Sequence, residues 1–221
     1  MPVKPITASV GEKGANRADD VRLIQTMLNQ AGGAGLKVDG VCGPNTIAAI
    51  RKFQSKFIPH PDGRIDPGGT TFHKLAGAAA KLILLPQRSG AGYYSYASAD
   101  KQYGTEATIA AILDVAGTFR DNRPNLLLGI GDISLAAGGN LPPHVSHKDG
   151  RNVDIRPLRT DAKMLGVTFQ NSSYSRENTR VLVESLLAHR NVRSILFNDT
   201  QIKGVTHWAG HDNHLHVNMH Q

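Results

Sequence analysis

The chain of 221 residues has one cysteine, Cys42. A single thiol excludes an intramolecular disulfide and every multi-cysteine zinc knuckle, so a metal held here must be held by imidazole and carboxylate. Alone, Cys42 reads as a small buried apolar residue. Aromatic residues are scarce, at 5%, which argues against a platform for stacking single-stranded nucleic acid. No apolar run reaches the roughly 18 residues of a membrane-spanning helix. The longest, "LAGAAAKLILLP", is short and broken by Lys81. The opening "MPVKPITASVGEKG" lacks the apolar h-region of a secretory signal. Synthesis in the cytoplasm without a signal peptide is therefore expected, with any outside target reached by another route. The net charge of +7 is not gathered into a basic arm. It favours an anionic partner, whether nucleic acid, anionic lipid or cell-wall polymer, without choosing among them.

What is present is an ordinary hydrophobic content of 40%, enough for a real core. The length suits one large domain or a medium domain with a small one. Residues 9–76 read as a compact helical unit. "NRADDVRLIQTMLNQAGG" has a capping signal at Asn16 or Asp19, then Val21, Ile24 and Leu28 at helical spacing, then a Gly-Gly stop. After the turn-rich "LKVDGVCGPNT", a second helix opens at Asn45 or Thr46, with Ile47, Ile50, Phe53 and Phe57 on one face. "PDGRIDPGGTTFHKLAG" repeats the idea, a turn and then a short helix from Thr70 or Thr71 to Leu75. Asp39, Gly40, Gly43 and Pro44 are turn formers. The sequence predicts a three-helix bundle over residues 1–80, a linker over 81–92 and a second domain over 93–221. In the second domain "TEATIAAILDVAGTF" and "SRENTRVLVESLLAHR" read as helices, with Ser175 and Asn178 near the start of the latter. "NLLLGIGDISL", "NVDI", "VRSILFND" and "NHLHVNM" read as strands. The expected class is α+β, with a central, mainly antiparallel sheet in the second domain.

Histidine is concentrated at the C-terminus. Five of the ten, His207, His211, His214, His216 and His220, lie in the last fifteen residues, and they do not form the unbroken run of a purification tag. In a strand, His214 and His216 project to one side, about 7 Å apart, while Leu215 and Val217 face a core. His-x-His needs partners from elsewhere to hold a metal. Upstream, "PPHVSHKDGRNVDIRP" supplies His147 and, seven residues on, Asp154, with a "KDG" turn between them in which Gly150 serves. Two histidines and an aspartate make a catalytic zinc set with a position left for water. The ion lowers the pKa of that water to about 7 and polarises a carbonyl. Arg151 and Arg156 flank the "NVDI" strand, where one could bind a substrate carboxylate. His207 and Trp208 read as rim or packing residues, with substrate contact as the alternative. His220 reads as a residue of a frayed end.

Two resemblances follow from these motifs. The order "DV-x-x-I-Q-x-x-L-N … V-D-G-x-x-G-P-x-T-x-x-A-I-x-x-F-Q" over residues 9–76 resembles the type 1 peptidoglycan-binding domain family. The stretches "QYGT", "GIGDIS", "GGNLPPHVSHKDGRNVDI", "YSRENT" and "GHDNHLHV" resemble the penicillin-insensitive murein endopeptidases, within the wider group of lysostaphin-type and D-Ala-D-Ala metallopeptidases. The second resemblance implies His147, Asp154 and His216 as ligands of one Zn2+ per chain. It implies His214 as general base or transition-state stabiliser and His211 as a second essential imidazole. His144, Ser146 and Asp149 are further candidates beside the substrate, together with Arg151 and Trp208. Jointly the resemblances imply a monomeric, two-domain peptidoglycan hydrolase of the modular phage endolysin kind, cutting a D-Ala–diaminopimelate cross-link. Peptidoglycan is the expected partner, with no nucleic acid and no membrane span. Release through a holin, or injection by a secretion machine, would deliver it to the periplasm and wall. A D,D-carboxypeptidase on the same stem peptide and a catalytically inactive wall-binding protein remain the alternatives.

Overall fold

The computed structural model describes residues 5–79, 82–87 and 91–220. The chain falls into two compact units, Met1–Leu82 with Ala137–Asp149, and Ile83–Ala136 with Gly150–Gln221. This differs from a division at residues 80 and 93. Ile83–Leu84, placed in a linker by the sequence, is a strand (β3) paired with Tyr103–Gly104 (β5), and part of that linker, residues 81 and 88–90, lies outside the described residues. The segment Ala137–Asp149 joins the first unit because Gly138 and Gly139, both at positive φ, let its backbone lie against Asn29 and Leu36.

The first unit has the expected three helices, α1 (Ala18–Gly32), α2 (Pro44–Gln54) and α3 (Thr70–Ala78). A short antiparallel pair, β1 (Val10–Gly11) with β2 (Arg64–Ile65), ties its ends. Val21, Ile24 and Leu28 pack with Ile50, Phe53, Phe72 and Leu75 in one buried cluster. α3 begins at Thr70 as read in the sequence, while the starts of α1 and α2 differ. Arg17, not Asn16 or Asp19, precedes α1, and no side chain caps it. Asn16 instead sits at φ 48° and braces the preceding turn through Gly11. α2 opens at Pro44, which has no N–H to leave unsatisfied.

The threonines read as helix starts have another task. Buried Gln25 donates to Asp39 Oδ1 (3.0 Å), the Val41 carbonyl (3.1 Å) and Thr46 Oγ1 (3.3 Å), and accepts from the Gly40 N–H (3.0 Å). Buried Gln54 repeats the pattern with Asp62, the Arg64 carbonyl, Thr71 and the Gly63 N–H. Each "DG" turn is thus clamped by one amide from the preceding helix, and Gly40 and Gly63 supply the positive φ it requires.

The second unit is built on a six-stranded sheet. Its strands are β4 (Tyr93–Ser95), β6 (Leu128–Ile130), β7 (Asn152–Ile155), β8 (Val192–Leu196), β9 (Val205–Thr206) and β10 (Leu215–Met219), in the order β4-β6-β7-β10-β8-β9. The four central strands are antiparallel, and each edge strand pairs in parallel. Helices α4 (Glu106–Asn122) and α5 (Arg176–Ala188) pack through Ile112, Phe119, Leu182 and Leu186 onto Val153, Ile155, Ile195, Leu215 and Val217. Thr105 and Ser175 cap them by accepting from the N–H three residues on. The described residues therefore hold five α-helices with a mixed sheet, an α+β architecture.

Removing either clamp leaves several buried backbone groups unpaired. Gln25→Ala and Gln54→Ala should each lower unfolding free energy by about 3 kcal/mol, measured by denaturant unfolding. Acid should act through the same turns. The Val41 N–H and the Gln25 amide hold the Asp39 carboxyl below its usual range, and the Arg64 N–H and Gln54 amide do so for Asp62. Folding lowers both values, so their contribution is complete above the unfolded carboxyl pKa of about 3.9 and is lost as pH falls through the lower folded values. The thermal midpoint should drop below about pH 4, and Asp39→Asn with Asp62→Asn should flatten that drop.

Candidate functional site

Strand alternation divides the β7–β10 pair into two faces. Leu215, Val217, Val153 and Ile155 enter the core, so the residues between them must face the other way. The register sets His216 opposite Asp154, Asn218 opposite Asn152, and Asn218 opposite Ser194 on β8. The result is a polar strip across three strands. Asp154 is 4% exposed and His216 3%.

His216 Nδ1 lies 2.9 Å from Asp154 Oδ1. Nδ1 and the carboxylate face each other, and which of the two ring nitrogens carries the proton follows the tautomer. On the other side of the ring the Asn152 amide approaches Nε2 at 3.3 Å while donating to Asn218 Oδ1 at 2.8 Å. The Asn218 amide in turn donates to Ser194 Oγ at 3.3 Å. The imidazole orientation is thereby set by a line of neutral side chains behind it.

His214 stands one residue before β10, and its Nε2 is 3.8 Å from Asp154 Oδ1. Its Nδ1 lies 2.8 Å from Asn213 Oδ1. The His211 ring is 4.7 Å from that of His214 and 5.6 Å from that of His216. His211 Nδ1 faces the Trp208 and Ala209 carbonyls at 3.1 and 3.2 Å, and carbonyls only accept, so Nε2 is the atom left for chemistry. The loop holding it is pinned by Asn198, which accepts from the Trp208 N–H (2.9 Å) and donates to Asp212 Oδ1 (2.6 Å). Asp154, His216, His214 and His211 are thus brought together.

The remaining sequence candidates are placed as follows. In the first unit the His144 and His147 rings lie with centres 4.3 Å apart and planes tilted by 57°, and His147 is fully buried. The Ser146 carbonyl accepts from the Lys148 N–H, and Asp149 is half-buried. Arg151 offers its carbonyl to the Met219 N–H. Trp208 is 61% exposed, and His207 and His220 are exposed. Arg156 is held in the second unit, its guanidinium 4.0 Å over the Tyr96 ring and donating to the Met164 carbonyl.

Two residues were not singled out from the sequence. Tyr96 lines a cleft of about 470 Å³ with Asp154, Arg156, Val167, Asn213 and His214. Burial pushes its phenol above the ordinary value, and the Asp154 carboxylate adds to the push. Tyr94 and Tyr96 lie across β6 at Gly129 and Gly131, where any Cβ would collide with the rings. That is the physical content of the "GIG" motif: its glycines supply room, since neither has a positive φ. The signal was "YSY" in register with "GIG". The second residue is Gln102, fully buried, which donates to the Ile130 and Gly131 carbonyls and accepts from Ser95 and Gln87. It fixes β4 against the end of β6.

Among known proteins, residues 17–68 match the family model of a peptidoglycan binding domain. No curated protein matches the chain. This match supports a peptidoglycan-binding module over residues 17–68, and with it peptidoglycan as a partner and a role associated with the cell wall. No helix among the described residues is long and apolar enough to cross a membrane.

Gly131→Ala should displace the Tyr96 ring from the cleft and cost about 1–3 kcal/mol. Tyr96→Ala in the same chain should recover part of that loss, a coupling that a double-mutant cycle of unfolding measures directly.

Proposed function

We propose that the protein is a zinc-dependent peptidoglycan hydrolase, an endopeptidase that cuts cross-linked stem peptides at a D-Ala–diaminopimelate bond. The observation that carries this reading is the buried Asp154–His216 pair with His214 and His211 packed against it. It stands in a chain whose N-terminal segment matches a wall-binding family. A buried carboxylate among imidazoles is costly to maintain without a charge to offset it. Two imidazoles and a carboxylate suit zinc without any thiolate.

In this reading His147, Asp154 and His216 hold one Zn2+. The ion would supply a Lewis acid for the scissile carbonyl and make water nucleophilic near neutral pH. The chain's own side chains supply the remainder. His214, its Nδ1 engaged by Asn213, offers Nε2 to take a proton from the attacking water and return it to the leaving amine. His211, fixed through Nδ1, presents Nε2 to the oxyanion when protonated. The cleft lined by Tyr96, Val167 and Asn213 gives the stem peptide its place beside these groups. The wall-binding unit keeps the site near an insoluble polymer and acts through effective concentration.

Mass spectrometry of fragments released from diaminopimelate-type sacculi, with and without chelator, tests the reaction. Chelator-sensitive conversion of cross-linked dimers to monomers is expected. Loss of terminal alanine alone would assign a carboxypeptidase, and binding without release would assign a wall-binding protein. Two substitutions test the roles. His216→Ala should empty the metal site. His211→Ala should retain about one zinc per chain while kcat falls about 100-fold or more. Loss of zinc from His211→Ala would instead make that residue part of the metal's support.

A further inference from the structure

The first unit contains a cavity of about 670 Å³ that none of this chemistry uses. It lies between the C-terminal end of α1, with the Gly32–Lys37 turn that follows, and one side of α2. Four cations line it: Lys37, Lys52, Lys56 and Lys148. Among the described residues none of the four is in a salt bridge. The one acidic side chain in the lining, Asp39, is already engaged by Gln25 and the Val41 N–H. The one aromatic ring, Phe53, is 8% exposed.

We propose that this cavity is the wall-gripping site and that it takes the stem peptide by its free carboxylates rather than the glycan strand. The proposal rests on the wall-binding reading of residues 17–68 and not on the metal. That matched segment supplies nearly the whole lining. Within peptidoglycan the anionic groups are the carboxylates of the stem peptide, and a lining with four cations against one carboxylate draws them in. A sugar ring would need an open aromatic face to stack on, and a ring as covered as Phe53 does not offer one. Lys56 has a local use as well, since its Nζ reaches the end of α1 beside Gly32. Lys37 acts on the Asp39 carboxylate and Lys52 stands in the last turn of α2, and Lys148 Nζ is close enough to Gly35 that a Cβ there would come within 3.1 Å of it. The turn is kept bare on the side where the cations gather.

The test uses the full chain with chelator present, so that binding is read without hydrolysis. Three probes are titrated by calorimetry and by amide chemical shifts: a disaccharide-tetrapeptide from a diaminopimelate-type wall, the same molecule with its carboxylates amidated, and chitotetraose. The tetrapeptide should bind with shifts mapping to Gly32–Lys56. Lys52→Ala combined with Lys56→Ala should weaken it about tenfold, and so should amidation. Added salt should weaken the wild type more than the variant. Lys52→Gln with Lys56→Gln, which keeps the side-chain length, should match the alanine pair if charge is the cause. Saturable chitotetraose binding in the cavity overturns the proposal, as does a peptide affinity untouched by the lysine changes. Pelleting with sacculi separates the two levels. A lysine variant that pellets like the wild type removes the cavity alone, whereas a wild type that stays in solution removes the wall-binding reading with it.

Discussion

The pairing of β7 with β10 is the constraint from which the rest of the second unit follows. With Asp154 opposite His216, each strand gives one face to the core and the other to the polar strip. A slip of one residue would exchange the faces, turning His216 and Asp154 toward Ile195, Phe119 and Leu182 and turning Leu215 and Val217 to the polar face. The hydrophobic contacts of α4 and α5 therefore enforce the geometry of the site, although no residue of either helix belongs to it. Chemical placement here is a by-product of burying the correct alternate residues.

A second device recurs in both units: a buried glutamine whose amide closes on a turn or a strand end. Gln25 and Gln54 each bind an Asp-Gly turn, and Gln102 holds the Ile130 and Gly131 carbonyls. An amide carries two donors and one acceptor oxygen without charge, so it can pair several backbone groups at little desolvation cost once all partners are met. No buried side-chain polar atom among the described residues lacks a partner. Within the first unit the duplicated clamp also explains why two turns of unequal length deliver helices to one small core.

Much of this was legible in the sequence because it rests on period and composition. Val21, Ile24 and Leu28 announced α1, and alternation in "NHLHVNM" announced both a strand and the face that His216 occupies. The starts of α1 and α2 were less legible because Asn16 and Thr46 look like caps, while Asn16 braces the turn before it and Thr46 serves a clamp from a residue distant in sequence. Edge strands of two residues, β3 and β9, carry too little pattern to be seen. The parallel pairing of β4 with β6 is likewise a long-range event, so the fit of Tyr94 and Tyr96 over Gly129 and Gly131 had no local trace beyond the glycines themselves. The assignment of Ala137–Asp149 to the first unit was equally invisible, since it depends on two glycines meeting the backbone near Asn29 and Leu36.

The alternation in β7 and β10 has an evolutionary consequence. Selection for folding and selection for chemistry fall on different residues of the same short strands, interleaved at every second position. Core positions such as Val153 and Val217 can drift among aliphatic residues of similar volume while the polar strip stays fixed, and the strip can be rewritten while the core stays fixed. Sequences that share this sheet should therefore diverge in two independent registers. A new reaction could arise on it through changes at positions 152, 154, 216 and 218, with little disturbance to the burial that holds the sheet together.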